Sequence, residues 1–203
     1  MNIGFDLDKI FIQYPPFIPE ILIDKAYKRM LDGKLKYRVP PKPEQLLRSF
    51  LHQPIFRQPI KNNIAFVKKL TKQNSNKHYL ISGRFGFLKS RTNQIIKKHG
   101  FDKIFDGLYF NYSNNQPHLF KNEIIKKLRI DLYVDDDLQL LEHLCKDNPK
   151  IKFFWLNKNV SKELSKNLFA IKNLSEMFAP SFHLRGVPQA QHHLGGGRRT
   201  PAR

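Results

Sequence analysis

The stretch Ile3-Gly4-Phe5-Asp6-Leu7-Asp8 decides how the chain is read. A short apolar run that ends in two carboxylates is the mark of a buried strand delivering acidic groups to a sheet edge. Further along, His78-Tyr79-Leu80-Ile81-Ser82, Asp131-Leu132-Tyr133-Val134 and Lys152-Phe153-Phe154-Trp155-Leu156 have the same apolar character. Between them lie segments with helical spacing: 60–72, 88–99 (with Gly100 as its stop), 121–128 and 138–145. A shorter strand is expected over 106–110. Strands alternating with helices predict an α/β fold, a Rossmann-like parallel sheet with helices on both faces.

Residues 13–59 break the alternation. They hold eight prolines: Pro15, Pro16, Pro19, Pro40, Pro41, Pro43, Pro54 and Pro59. Short helices are expected at 21–31 and 43–51, so this segment reads as a small, mostly helical inserted cap. The core is then 1–12 and 60–178. Residues 179–203 read as a flexible tail. Its Arg, Gly and Pro usage is foreign to the rest of the chain, as in an appended sequence.

Composition narrows the class. The 203 residues are 40% hydrophobic, enough to build a core. No apolar run nears the ~18–20 residues of a membrane span, and no signal-peptide pattern opens the chain, so a cytoplasmic protein is expected. The lone Cys145 excludes an intramolecular disulfide and a multi-cysteine zinc site. The net charge is +19, and there is no acid between Glu44 and Asp102. Such a field favours anionic partners, from phosphorylated metabolites to nucleic acid. Most of the lysines read as solvated helix faces; Arg84, Lys89 and Arg91, just after the second strand, could meet an anionic substrate, but a solvated helix face is the preferred reading for them. Arg57 and Tyr14, near the cap hinges, are weaker substrate-contact candidates. Phe153, Phe154 and Trp155 read as core.

In a parallel sheet the C-terminal strand ends share one edge, and ligands bind there. That edge should collect Asp6, Asp8, Ser82, Asp135 and Asp136, with Lys121 reaching it from a helix. Gathered carboxylates repel one another unless a cation joins them. A hard, oxygen-seeking ion such as Mg²⁺ suits such a set and leaves room for a phosphate oxygen.

Four ordered motifs make the chain resemble the haloacid dehalogenase (HAD) superfamily, in its aspartate-nucleophile phosphatase branch. They are Asp6-Leu7-Asp8 after a strand, Ser82 closing the next, Lys121 in Phe120-Lys121-Asn122, and Asp135-Asp136 after Leu132-Tyr133-Val134. The resemblance spans roughly residues 1–176. It implies Asp6 as nucleophile, Asp8 as general acid and base, Ser82 as a phosphoryl hydrogen-bond donor and Lys121 as a charge neutraliser. It implies Mg²⁺ held by Asp6, the Asp8 backbone carbonyl and Asp135, with Asp136 supporting the metal's water or orienting Lys121. One departure is Lys9, where the family commonly has glycine. The expected activity is Mg²⁺-dependent hydrolysis of a small phosphorylated metabolite, a nucleotide or sugar phosphate. The alternatives are a non-catalytic scaffold, motivated by Lys9, and a polynucleotide-end phosphatase, motivated by charge.

Overall fold

A computed structural model describes residues 1–15, 28–31, 34–73, 75–160 and 162–179. The tail expected from residue 179 onward therefore lies, past that residue, outside the described ones. β1 (Asn2–Phe5) is an interior strand of a seven-stranded sheet. It pairs in parallel with β4 (Lys77–Ser82) on one side and β6 (Leu132–Asp135) on the other. β5 (Gly107–Phe110) lies outside β4; β7 (Lys152–Leu156), β9 (Leu168–Ile171) and β8 (Lys162–Ser165) follow outside β6. Only β8 runs antiparallel, at the edge. The chain thus builds first to one side of β1, then crosses to the other. The crevice at that reversal, beyond the strand C-termini, is where such sheets bind ligands.

Helices α2 (Lys61–Gln73), α3 (Lys89–His99), α4 (Pro117–Lys127) and α5 (Leu138–Asp147) link these strands. Strand side chains alternate between two cores. Ile3, Phe5, Leu80, Val134 and Phe154 enter one; Tyr79, Ile81, Tyr133 and Phe153 enter the other. Because both sheet faces are covered, the strands are near-continuous apolar runs, which is why they stand out in sequence. α3 ends where expected, at Gly100, whose φ of 66° closes the helix in the left-handed region.

Gly4 has a packing role. A Cβ there would lie 2.7 Å from Tyr133 Cδ2 and 3.2 Å from Ile81 Cδ1. Tyr133 is fully buried and tied by its hydroxyl, so its ring has nowhere to retreat. Gly4→Ala is expected to lower stability by about 1–3 kcal/mol, the usual cost of overpacking a core. Urea denaturation would show it as a lower midpoint, and an unchanged midpoint would contradict the packing argument.

The segment between β1 and α2 differs from expectation. Where a helix over 21–31 is predicted, β2 (Lys28–Leu31) pairs antiparallel with β3 (Lys34–Tyr37); residues 21–27 lie outside the described ones. The insert is therefore not mostly helical among its described residues. The sequence carries the reason: Leu35 and Tyr37 are buried while Lys36 is exposed, a period of two. α1 (Lys42–Leu51) is a helix as expected. Both ends of the insert meet at the core: Gln13 N donates to Gln58 O and Ile60 N to Phe11 O, at 2.8 and 2.7 Å. β8, β9 and a 3-10 turn at Leu174–Phe178 extend the sheet beyond the last expected strand. No helix among the described residues is long and apolar enough to cross a membrane.

Candidate active site

β1 ends at Phe5, and Asp6 still belongs to the ladder through its N–H to Val134 O, 2.9 Å. The chain then folds tightly through Leu7–Ile12, with Phe11 N on Leu7 O and Lys9 N on Ile12 O. Asp8 N donates to Asp6 Oδ2 at 2.8 Å, so the loop itself orients the first carboxylate. The turn places Lys9 at φ 56°, a left-handed conformation glycine adopts freely and lysine does not. The ion pair from Lys9 Nζ to Asp136 Oδ2, 2.9 Å, and a cation–π contact with Tyr14 hold it there.

Lys121 projects from α4 into the buried gap between strand ends. Its Nζ donates to Asp6 Oδ1 and to Asp135 Oδ2, both at 2.7 Å. Tyr133 Oη donates to the same Asp135 oxygen at 3.1 Å. The other Asp135 oxygen accepts from Asp137 N, and Asp137 in turn caps α5 by accepting from Leu140 N. Lys121 is thus oriented by Asp6 and Asp135, and Asp136 faces Lys9 instead. Ser82, buried at the end of β4, lines the same cavity of about 380 Å³. All six residues singled out for the site border that cavity.

Charge is finely set there. Burial pushes the Asp6 carboxyl well above its ordinary range; Lys121 opposes this, while Asp135, Asp8 and Asp136 add to it. Burial likewise pushes Asp136 up to about 7, against the pull of Lys9. For Lys121 burial would lower the ammonium's pKa, but Asp135 and Asp6 outweigh it and hold the group firmly protonated. Two lysines therefore leave these acids under-compensated. One carboxylate oxygen from each of Asp6, Asp135 and Asp136 lies within 4.8 Å of the others. That oxygen-only, over-acidic set fits a hard divalent cation. The Asp8 carboxylate is not part of it.

Asp8 turns instead to two guanidinium groups. Arg84 Nε and Nη2 donate to Asp8 Oδ2 and Oδ1 at 2.7 and 2.8 Å, and Arg57 Nη2 donates to Oδ1 as well. Burial pushes Asp8 up, yet Arg84 and Arg57 prevail and hold it far below the usual carboxylate range. The solvated-face expectation fails for Arg84: it is buried, and Thr92 braces it at 3.2 Å. Arg84 precedes α3 rather than lying on its outer face, so helical spacing does not apply to it. Lys89 and Arg91 do keep to the solvated side of that reading, exposed and half-buried. Tyr133 is a site residue that sequence reasoning missed, since a strand tyrosine reads as core. Trp155, expected in the core, is half-buried, and its indole N–H donates to Asp136 O at 2.9 Å.

With seven strands, all but the edge strand β8 parallel, and acids at the reversal beside β1, the molecule is of the Rossmann-like α/β class. Its fold is that of the haloacid dehalogenase-like hydrolases. One such hydrolase from Streptococcus pneumoniae matches over 77% of this chain and 84% of its own, at 13% identity and a TM-score of 0.52. Another, from Xanthomonas campestris, matches over 87% and 92%, at 11% identity and a TM-score of 0.53. A chain of the Pnkp1/Rnl/Hen1 RNA repair complex is 17% identical over 76% of this chain. The present chain spans only 42% of that one, and the TM-score of 0.49 is too loose to carry function. No family model matches the chain, and neither does any curated protein.

Proposed function

We propose that this protein is a Mg²⁺-dependent phosphomonoesterase that works through an aspartyl-phosphate on Asp6. One observation carries the reading: Asp6, Asp135, Asp136 and Lys121 converge on one cavity at the strand ends that flank the sheet's reversal. Asp6, Asp135 and Asp136 would hold the cation, which, when bound, supplies neutralisation of phosphoryl charge. A carboxylate oxygen of Asp6 attacks phosphorus, and the bond from phosphorus to the ester oxygen breaks. Lys121 and the Ser82 hydroxyl balance charge on the transferring group. Water then attacks the aspartyl-phosphate, and Asp8 accepts its proton as inorganic phosphate leaves.

Asp8, held ionised by two arginines in the resting site, has no proton to give, so the alkoxide of a metabolite ester would take its proton from solvent water, while Asp8 remains free to accept the hydrolytic water's proton in the second step. A phenolate needs no such proton, so 4-nitrophenyl phosphate is the fitting first substrate. Turnover in Mg²⁺ that vanishes with a chelator is the expected result. The substrate in the cell would be a small phosphorylated metabolite, of the size of a nucleotide or sugar phosphate, as a cavity of about 380 Å³ favours. The lysines 68, 69, 72, 97 and 98, which raise the charge, are exposed on helix surfaces. They support attraction of anions generally and do not mark a nucleic-acid track.

A non-catalytic scaffold is the second reading, favoured by the Lys9–Asp136 ion pair, which occupies one of the candidate metal carboxylates. An inert wild type whose Lys9→Gly variant turns over the same ester would support it and count against the first.

A further inference from the structure

Arg57 does more than one carboxylate requires. Arg84 alone already satisfies Asp8 with two hydrogen bonds, one to each oxygen. Arg57 adds one bond to Oδ1 and keeps Nε and Nη1 without a hydrogen-bond partner among the described residues, although its side chain is 0% exposed. Leaving guanidinium donors unmet in a buried place is costly, and native structures avoid it unless the site has a use.

The surroundings do not neutralise the pair. Two guanidiniums face one carboxylate. His52, which lines the same cavity, is held neutral by burial and by both arginines. Glu44, also in the lining, is taken by Arg38 and Arg48. The arginines are also fixed in place. Thr92 holds Arg84, the Tyr14 ring lies 5.0 Å beneath the Arg57 guanidinium, and the backbone around Arg57 is pinned to Phe11–Gln13. Both side chains border the cavity that contains Asp6.

We propose that Arg57 and Arg84 form a second anion subsite, which takes a carboxylate or phosphate group carried by the substrate beside its phosphoester. This rests on the phosphatase reading and names its substrate class: phosphomonoesters with a second anionic group a few bonds away. A planar guanidinium fork suits either oxyanion, with paired N–H donors on paired oxygens. The subsite is close to the reacting phosphate because Asp8, which the arginines share, is itself hydrogen-bonded through its backbone to Asp6.

Non-hydrolysable phosphonates test this apart from turnover. Calorimetry on the wild-type protein in Mg²⁺ would compare 3-phosphonopropanoate with propylphosphonate, and propane-1,3-diphosphonate with both. The acid-bearing ligands are expected to bind about tenfold tighter or more, in keeping with charge-assisted hydrogen bonds. The better of the two acids identifies the second group as carboxylate or phosphate. In Arg57→Gln the preference should shrink to about twofold or less, with Arg57→Lys in between. Removing one of 36 basic residues barely alters the overall field, so a collapse of that size is local. Equal binding of acid-bearing and plain alkyl ligands by the wild type overturns the proposal, whatever the variants do. Hydrolysis of 4-nitrophenyl phosphate is read in parallel. Turnover without ligand discrimination leaves the phosphatase standing and removes the subsite. Discrimination without turnover does the reverse.

Discussion

Asp6→Asn is expected to abolish phosphate release, by about 10⁴-fold or more, as loss of a covalent nucleophile does. The same change should leave the fold as stable as before, or more so. The sign follows from burial. The Asp6 carboxyl is pushed up in the folded protein, so the folded state prefers it protonated. A raised acid costs nothing below its ordinary pKa. The cost grows as pH climbs from there toward the raised value. Asparagine is neutral at every pH and is spared that cost, while Lys121 keeps Asp135 as a partner. In metal-free buffer the variant should therefore melt at or above the wild-type temperature at pH 7, and the gap should close toward pH 4. Malachite-green phosphate detection and thermal melts read the two halves separately. Retained turnover would sink the assignment of Asp6, and a melt lowered by many degrees would sink the electrostatic account.

Asp8→Ala should lose turnover too, for want of the base, but its effect on stability has the opposite sign to that of Asp6→Asn and is large. Its removal leaves the buried guanidiniums of Arg57 and Arg84 facing each other without a counter-charge. Breaking a buried ion pair from one side costs about 3–5 kcal/mol. The pH dependence of the wild type has the matching sign. Asp8 is held low by the arginines, so its contribution is complete above the ordinary carboxylate pKa and is lost as pH falls below it. Urea unfolding of Asp8→Ala at pH 7 should show the loss, and Asp8→Ala with Arg57→Met should recover part of it. A single variant within about 0.5 kcal/mol of wild type would mean that the arginines are solvated rather than paired.

The sheet and the acidic edge were legible because β1, β4 and β6 are buried on both faces and each ends in, or leads straight into, a polar residue. Ser82 and Asp135 are the last residues of β4 and β6, and Asp6 directly follows β1, so an apolar run followed by a polar residue marks both strand and site. Arginine gives no such mark. Arg57 and Arg84 lie between elements, where no periodicity separates an inward side chain from an outward one, and among 36 basic residues their sequence positions make them only weak substrate-contact candidates. Tyr133 is hidden for the converse reason: its ring belongs to the core and only its hydroxyl to the site. The hairpin at 28–37 was missed because β2 and β3 are four residues each, too short to outweigh a neighbouring apolar stretch. β9 is equally short.

The pairing of Gln13 with Gln58 and Ile60 with Phe11, reinforced by Arg57 on Asp8, means that the chain leaves the core and returns to it through one doorway. The entropy of closing that excursion is met at the threshold, by contacts that belong to the core. What lies beyond the doorway can then lengthen or shorten cheaply, since doubling a flexible loop costs only about 0.6 kcal/mol. The chemistry would stay with the sheet, while the insert beyond it would be free to be rewritten.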